Sequence, residues 1–579
     1  MKHTQWYRED YPRPQMVRND WESLDGKWHF RFDERNIGEK EHWEEGFESK
    51  LEINVPFTYE TSASGIGEEK QVQVIWYSRS FLVTDLSKDT LIHFEGSDYT
   101  TDVWINGVYI GENHGAYHRF TFNITNALQI GNNIVTVRVK DGYSKEQVRG
   151  KQRWKDQNFG CWYTQTTGIY KSVWLERVNG VHVKQIHFVP DLSADKLRFS
   201  IRLIRFQPRL AVKIVVSYNG TQVAESSAPV SEALFQGALD IPVADQHFWT
   251  AETPDLYDVT VYLYENKKII DTVGSYFGWR EIKAEGQKLM LNGKPLYLKM
   301  VLDQGYWPES GLTPPDTEAL YEDIRLTKAM GFNGVRKHQK IEDERYLYLA
   351  DVMGLYVWCE MPSMYAFSES SVRFITQECS TVIARTYNHP SIITWVLFNE
   401  SWGIPNVSKS VRQQSQTLAM YYAARAIDMT RPIISNDGWE HTKSDILTLH
   451  NYTQDPQALR EGYVAEELAT KRSPIQERLP FSQGFGYENQ PIVFSEYGGV
   501  ACVEDTDGNS WGYGEPAGDA EELLQRFTAL TEVLQSLPYC SGYCYTQLTD
   551  VEQEVNGLLR ADRTPKVDVE KIKKINDQK

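Results

Sequence analysis

Residues 74–83 read VIWYSRSFLV, and residues 132–141 read NNIVTVRVKD. Both set apolar positions against polar ones in the manner of a half-buried strand. Between them, TDVWINGVYIGE (101–112) places two β-rich runs around Asn106-Gly107, the strongest short hairpin signal. Clusters of Gly, Asn and Asp separate these runs, so residues 1–180 predict a two-sheet sandwich. The pattern continues on a smaller scale over 181–280, where LAVKIVVSYNG and LYDVTVYLYENKKIIDTVGSYFG have the strand spacing of an immunoglobulin-like module.

The rhythm changes near residue 281. KLMLNGKPLYL (288–298) predicts a hairpin around Asn292-Gly293, and after it strands alternate with helices. LYLKMVL leads to a helix from about Pro314 to Met330, closed by Gly331. FNGVRKH, LYVWCEM, IITWVLFNE, PIISND, ILTLHNY, PIVFSEY and SGYCYTQLTD bring the strands to eight. Helices are expected through DERYLYLADVM and over about 369–387. In the next helix Val411, Leu418, Tyr422, Ala426 and Met429 fall on one face, which reads as the buried one. Most of the strands are continuous apolar runs, as strands covered on both faces should be. Residues 281–579 therefore predict a (β/α)8 barrel. The competing doubly wound sheet lacks a glycine-rich fingerprint after its first strand.

Composition narrows the function. A chain of 579 residues exceeds one ordinary core, and 41% hydrophobic with 24% charged residues predicts a soluble globular protein. No apolar stretch approaches the roughly 20 residues of a membrane span. The opening MKHTQWYREDYPRPQ lacks the apolar core of a signal peptide, which predicts a cytoplasmic protein. Six unpaired-looking cysteines fit a reducing compartment, and no Cys/His cluster has zinc spacing. A net charge of −18 argues against nucleic acid as a partner. The 17 Trp and 33 Tyr suit aromatic-rich sandwiches and sugar-facing walls alike.

Chemistry in such a barrel sits where strands end at the C-terminal rim. Glu400 ends strand four and Glu496 ends strand seven, across the rim from each other. Two carboxyls about 5–5.5 Å apart are what retaining glycoside hydrolysis needs: one donates a proton, the other attacks the anomeric carbon. Either glutamate alone would as readily cap a helix or pair with an arginine. Other polar residues at strand ends are candidates for binding sugar hydroxyls: Asp303, Arg336, His338, Glu360, Trp439, His450, Tyr452, Tyr497 and Gln547. The His450–Tyr452 stretch has no second histidine at ligand spacing, so no metal ligand is assigned.

Taken together, WESLDGKWHFRFD, WINGVYIGENHGAY, WYTQTTGIYKSVWLE, LMLNGKPLYLKMV, NHPSIITWVLFNESWG and IVFSEYGG resemble glycoside hydrolase family 2 over nearly the whole chain. That family includes β-galactosidases, β-glucuronidases and β-mannosidases. Its architecture implies a jelly-roll-like sugar-binding sandwich (1–180), an immunoglobulin-like domain (181–280) and a catalytic (β/α)8 barrel (281–579). The resemblance implies Glu400 as acid/base, Glu496 as nucleophile and Asn399 as partner of the substrate 2-hydroxyl. It also implies His450 and Tyr452 as pocket residues and Arg336 as the cation that keeps the nucleophile ionised.

Departures bear on the substrate. VRKHQK gives Arg-x-His where many members have Arg-x-x-His. Thr546 stands where a tryptophan platform is expected, so stacking is sought from Trp307, Trp439 or Tyr545. No Asn-x-Lys follows strand eight, which counts against uronides, although Lys337 and Lys340 leave positive charge nearby. The magnesium and sodium of β-galactosidases find no clear ligands, so no cofactor is named and both ions are left unassigned. The sequence thus predicts an exo-acting retaining β-glycosidase acting on a small glycoside or oligosaccharide, first a β-galactosidase. The alternatives are a β-glucuronidase or β-galacturonidase, an α-L-arabinopyranosidase, a β-mannosidase, or a non-catalytic carbohydrate-binding protein. Trp162 to Thr166 is the sandwich loop expected to narrow the pocket. A homo-oligomer is left open.

Overall fold

A computed structural model describes residues 3–462, 472, 477–505 and 508–579. The first sandwich packs a four-stranded sheet against a six-stranded one. Its central strands, Val74–Val83 and Gly131–Lys140, pair antiparallel along their full length. The expected hairpin joins Thr100–Ile105 to Val108–His114. Asn106 and Gly107 take φ of 52° and 78°, the left-handed pair that a two-residue hairpin turn demands. The second sandwich holds seven strands in sheets of three and four.

A small antiparallel sheet (282–296) turns at Asn292-Gly293. Its Ile282, Leu289 and Leu291 pack onto Leu298, Met300, Trp358, Val396 and Val493, which fill the barrel interior. The barrel strands are β1 (Leu298–Asp303), β2 (Gly334–Lys337), β3 (Tyr356–Glu360), β4 (Ile392–Val396), β5 (Ile433–Ile434), β6 (Leu447–Asn451), β7 (Ile492–Gly498) and β8 (Cys540–Thr546). All their pairings are parallel, in the order β5-β4-β3-β2-β1-β8-β7-β6. The ring is nearly closed: between β5 and β6, side chains replace a ladder. Gly438 N donates to Thr448 Oγ1 at 3.0 Å, and the His441 ring bonds Thr448 O at 3.1 Å.

The helices are α1 (Thr317–Ala329), α2 (Glu344–Met353), α3 (Glu369–Thr386), α4 (Val411–Ile427), α5 (Pro456–Gly462), α6 (Ala520–Ser536) and α7 (Val569–Asn576). Asp316, Asp343 and Ser368 cap the first three through their side chains. In α4 the expected buried face points outward: Val411 is 74% and Tyr422 56% exposed, and Met429, which lies two residues beyond the helix, is 72% exposed. The helix instead buries Gln413, Gln414, Gln416, Thr417, Met420, Tyr421 and Ala424. Its polar side chains are satisfied there. Gln414 donates to Val407 O at 3.0 Å, Thr417 bonds Thr442 at 2.7 Å, and Tyr421 donates to Asp445 at 2.7 Å. No helix among the described residues is long and apolar enough to cross a membrane.

Candidate active site

The strand ends of the barrel and one loop of the first sandwich line a narrow pocket of about 50 Å³. Among the expected residues, His338, Asn399, Glu400, Tyr452 and Glu496 line it. One oxygen each of Glu400 and Glu496 and one ring nitrogen of His450 lie within 4.8 Å of one another. The two carboxylates therefore share one hollow at the short separation.

Local backbone irregularities aim them. Glu400 lies four residues beyond β4, at φ 50° with Ser401 at 60°, held by Glu400 N donating to Asp437 O at 2.9 Å. Left-handed non-glycine residues are costly and concentrate at functional sites. On β7 the pairing register shifts between Phe494 and Tyr497. The shift breaks strict alternation, so Ser495 and Glu496 both face inward. Ser495 reaches Asp437, and Glu496 reaches Arg336.

Beneath the pocket runs a buried charge network. Arg336 donates to Glu496 at 2.8 Å, to Glu360 at 2.7 Å and to Asn399 Oδ1 at 2.7 Å. His450 bridges Glu400 at 2.8 Å and Asp437 at 3.2 Å, and lies 3.5 Å from Glu496. Burial alone would lower the His450 pKa. Glu496, Asp437 and Glu400 outweigh it and push the value up to about 10. Burial likewise favours a neutral Glu496, but the charges of His450, Arg336 and His338 and the Tyr452 hydroxyl hold it at about 2. Tyr452 donates directly to Glu496. Burial and the neighbouring Glu496 hold the Tyr452 hydroxyl well above its ordinary range, so it remains a donor.

Glu400, His450 and Glu496 are also the one buried three-residue group of metal-ligand type among the described residues. With His450 protonated, both ring nitrogens are N–H donors. In that state His450 gives one N–H to Glu400 and the other to Asp437.

Several expected contacts lie elsewhere. Tyr497 points away from the pocket, bonding Thr531 at 2.8 Å and packing on Tyr543 and Tyr545, because the shifted register returns it to the outer face. Tyr545 itself sits in that outer cluster and offers no platform. Asp303 is taken by Lys337 at 2.6 Å. Lys337 and Lys340 both pair with Glu342 and leave no free charge for a substrate. Glu360 lies under Arg336 and His338, fully buried, and does not line the pocket. Gln547 bonds Gln304 and Asn556 behind the wall. Trp439 packs edge-on against His450 at 5.5 Å, and Trp307 lies between Lys340 and Arg563.

The aromatic walls are Trp402 and Tyr513 instead. Trp402 packs on His338, Tyr365 and Trp162 of the sandwich loop. Tyr513 stacks on Tyr452 at 3.5 Å between centroids. Lys151 and Cys161 of the sandwich, with Leu302, Gln304, Thr546 and Glu554 of the barrel, complete the lining. Trp402, two residues after Glu400, was within reach of the sequence motif. Tyr513 and Glu554 lie on loops after β7 and β8 and carry no local signal. The sandwich loop is stitched to the barrel: Trp511 and Gln553 both donate to Gly160 O at 2.8 Å, and Thr164 N donates to Glu552 at 3.0 Å.

Three domain descriptions match consecutively: the sugar-binding domain of glycosyl hydrolases family 2 over residues 21–178, glycosyl hydrolases family 2 over 181–280, and the TIM barrel domain of that family over 282–578. A β-galactosidase of Thermoanaerobacter pseudethanolicus is 28% identical over 403 residues, covering 66% of this chain and 51% of that protein. One from Photobacterium profundum is 25% identical over 614 residues, covering 98% and 55%. The chain spans about half the length of these curated relatives. The solved β-glucuronidase of Ruminococcus gnavus with D-glucuronic acid superposes with a TM-score of 0.80 at 19% identity, covering 97% of this chain and 98% of that one, a likeness of fold. With all three domains matched in order, the chain belongs to the glycosyl hydrolases of family 2.

Proposed function

We propose that the protein is an exo-acting retaining β-glycosidase. The observation that carries this reading is the placement of one oxygen each of Glu400 and Glu496 within 4.8 Å in one pocket. That distance suits direct attack and leaves no room for the intervening water of an inverting enzyme, whose carboxyls stand about 6.5–9.5 Å apart. Glu496, kept ionised by Arg336 and His450, attacks the anomeric carbon and forms a glycosyl-enzyme. Glu400 protonates the departing oxygen and then takes a proton from water. Asn399 gives Oδ1 to Arg336 and keeps Nδ2 buried without a partner, a donor for the sugar 2-hydroxyl. Arg336 and His450 act from beneath, and Glu360 and Asp437 hold Arg336 in place.

Among glycones, a β-D-galactoside is the reading we favour, in keeping with the names of the two relatives. A β-glucuronide is the second, in keeping with the name of the solved neighbour. Glu496→Ala should abolish turnover of aryl β-glycosides, and sodium azide should restore it with an α-glycosyl azide as product. Undiminished activity in that variant, or a β-configured azide, would refute the assignment.

A further inference from the structure

Gln304 and Glu554 stand on the same pocket wall, joined behind it by two hydrogen-bonded arms. In one arm Gln304 Nε2 donates to Tyr163 Oη at 2.8 Å, and that hydroxyl donates to Glu554. In the other, Gln304 Nε2 donates to Gln547 Oε1 at 2.7 Å, Gln547 Nε2 to Asn556 Oδ1 at 2.7 Å, and Asn556 Nδ2 to Glu554 Oε1 at 3.1 Å. The polarity of this ring is fixed. The two N–H donors of one amide start both arms, and the two oxygens of one carboxylate end them. Gln304 Oε1 is thereby left buried without a partner. Each Glu554 oxygen accepts one bond and retains lone-pair capacity.

This wall therefore offers acceptors, and it wants donors. A sugar hydroxyl supplies them; a C5 carboxylate brings only acceptors and a second negative charge. Lys151 does not reverse that balance. No carboxylate among the described residues lies within ion-pair distance of it; it bonds the Cys161 sulfur, and its charge is set against Cys161, Glu554 and Glu496. It suits the free lone pair of a hydroxyl whose proton goes to Glu554 or Gln304.

We infer that Glu554 and Gln304, with Lys151 as the complementary donor, recognise hydroxyls of a neutral glycone and exclude uronic acids. This rests on the glycosidase reading above for its substrate. Tyr163, Gln547 and Asn556 are positioning residues that fix the ring.

The test compares p-nitrophenyl β-D-galactoside with the matching β-D-galacturonide in wild type and Glu554→Gln. Binding of free D-galactose and D-galacturonate is followed in parallel by thermal shift at constant ionic strength. Wild type should favour the neutral sugar in both assays. Glu554→Gln should lower kcat/KM for the galactoside by roughly 10- to 100-fold, the range for losing one charged hydrogen bond. It should also raise the uronide-to-neutral ratio at least about tenfold. That ratio is a readout that general loosening of the fold would not move. Lys151→Met should weaken the neutral sugar without inverting the order. Preference of the wild type for the uronic acid, or an unchanged ratio in Glu554→Gln, would overturn the inference. The binding arm reports even without turnover, which would instead count against the glycosidase reading.

Discussion

His450 and Glu496 carry opposite charges into a site where burial penalises both, and each depends on the other. Their pKa shifts make the fold pH-dependent with defined signs. His450 rises from 6.5 to about 10, so its contribution to stability is complete below pH 6.5 and is lost as pH climbs through about 10. Glu496 falls from 4.5 to about 2, so its contribution is present above pH 4.5 and disappears as pH drops toward 2. Thermal melts across pH should therefore peak between these limits and decline toward pH 10. His450→Gln should melt lower at pH 6 and show a flatter alkaline decline, because the group whose proton is lost is gone. An unaltered alkaline limb in that variant would assign the decline to other groups. Sequence reasoning reached both residues through their motifs. It could not reach Asp437 as the second partner of His450, because that bond depends on how β5 leaves the barrel.

At the scale of elements, the strands were legible and one helix face was not. Val74–Val83 and the Asn106-Gly107 hairpin follow from alternation and turn chemistry, both of which act locally. The barrel strands follow from apolar runs bounded by glycines and caps. In α4 the same reasoning inverted the helix, because the packed side is polar and satisfied by groups from distant loops, which no local pattern records. Tyr497 was misplaced for a related reason: a register shift decides which of two neighbouring residues faces the pocket. For α4 the consequence is measurable. Met429→Lys and Tyr422→Lys should each change stability by no more than about 0.5 kcal/mol, as exposed substitutions do. Thr417→Leu, which loses the bond to Thr442 and overfills a closed site, should cost about 1–3 kcal/mol in urea unfolding. A larger loss from the outer pair than from Thr417→Leu would restore the face expected from the sequence.

At the scale of the molecule, the pocket belongs to two domains. The barrel brings its carboxylates together through the order of its strands, while the first sandwich supplies Lys151 and Cys161. Gly150 allows that close approach: at its φ of 62°, a Cβ would stand 2.4 Å from Gln339 O at the end of β2. The sequence pointed to Trp162–Thr166 as the stretch that narrows the site; the sandwich residues that line it are Lys151 and Cys161 instead, and Trp162 stands behind Trp402, because contacts across a domain seam have no periodicity to read. If Glu496 bonds to the sugar while Glu400 handles the proton, the full-length protein should become labelled by an activated 2-deoxy-2-fluoro-β-D-galactoside, as read by mass spectrometry and peptide mapping. One fluorosugar per chain is expected, on the peptide containing Glu496, and none when Glu496 is changed to Ala. A label on any other residue, or turnover of this reagent with inverted anomeric product and no adduct, would contradict that assignment.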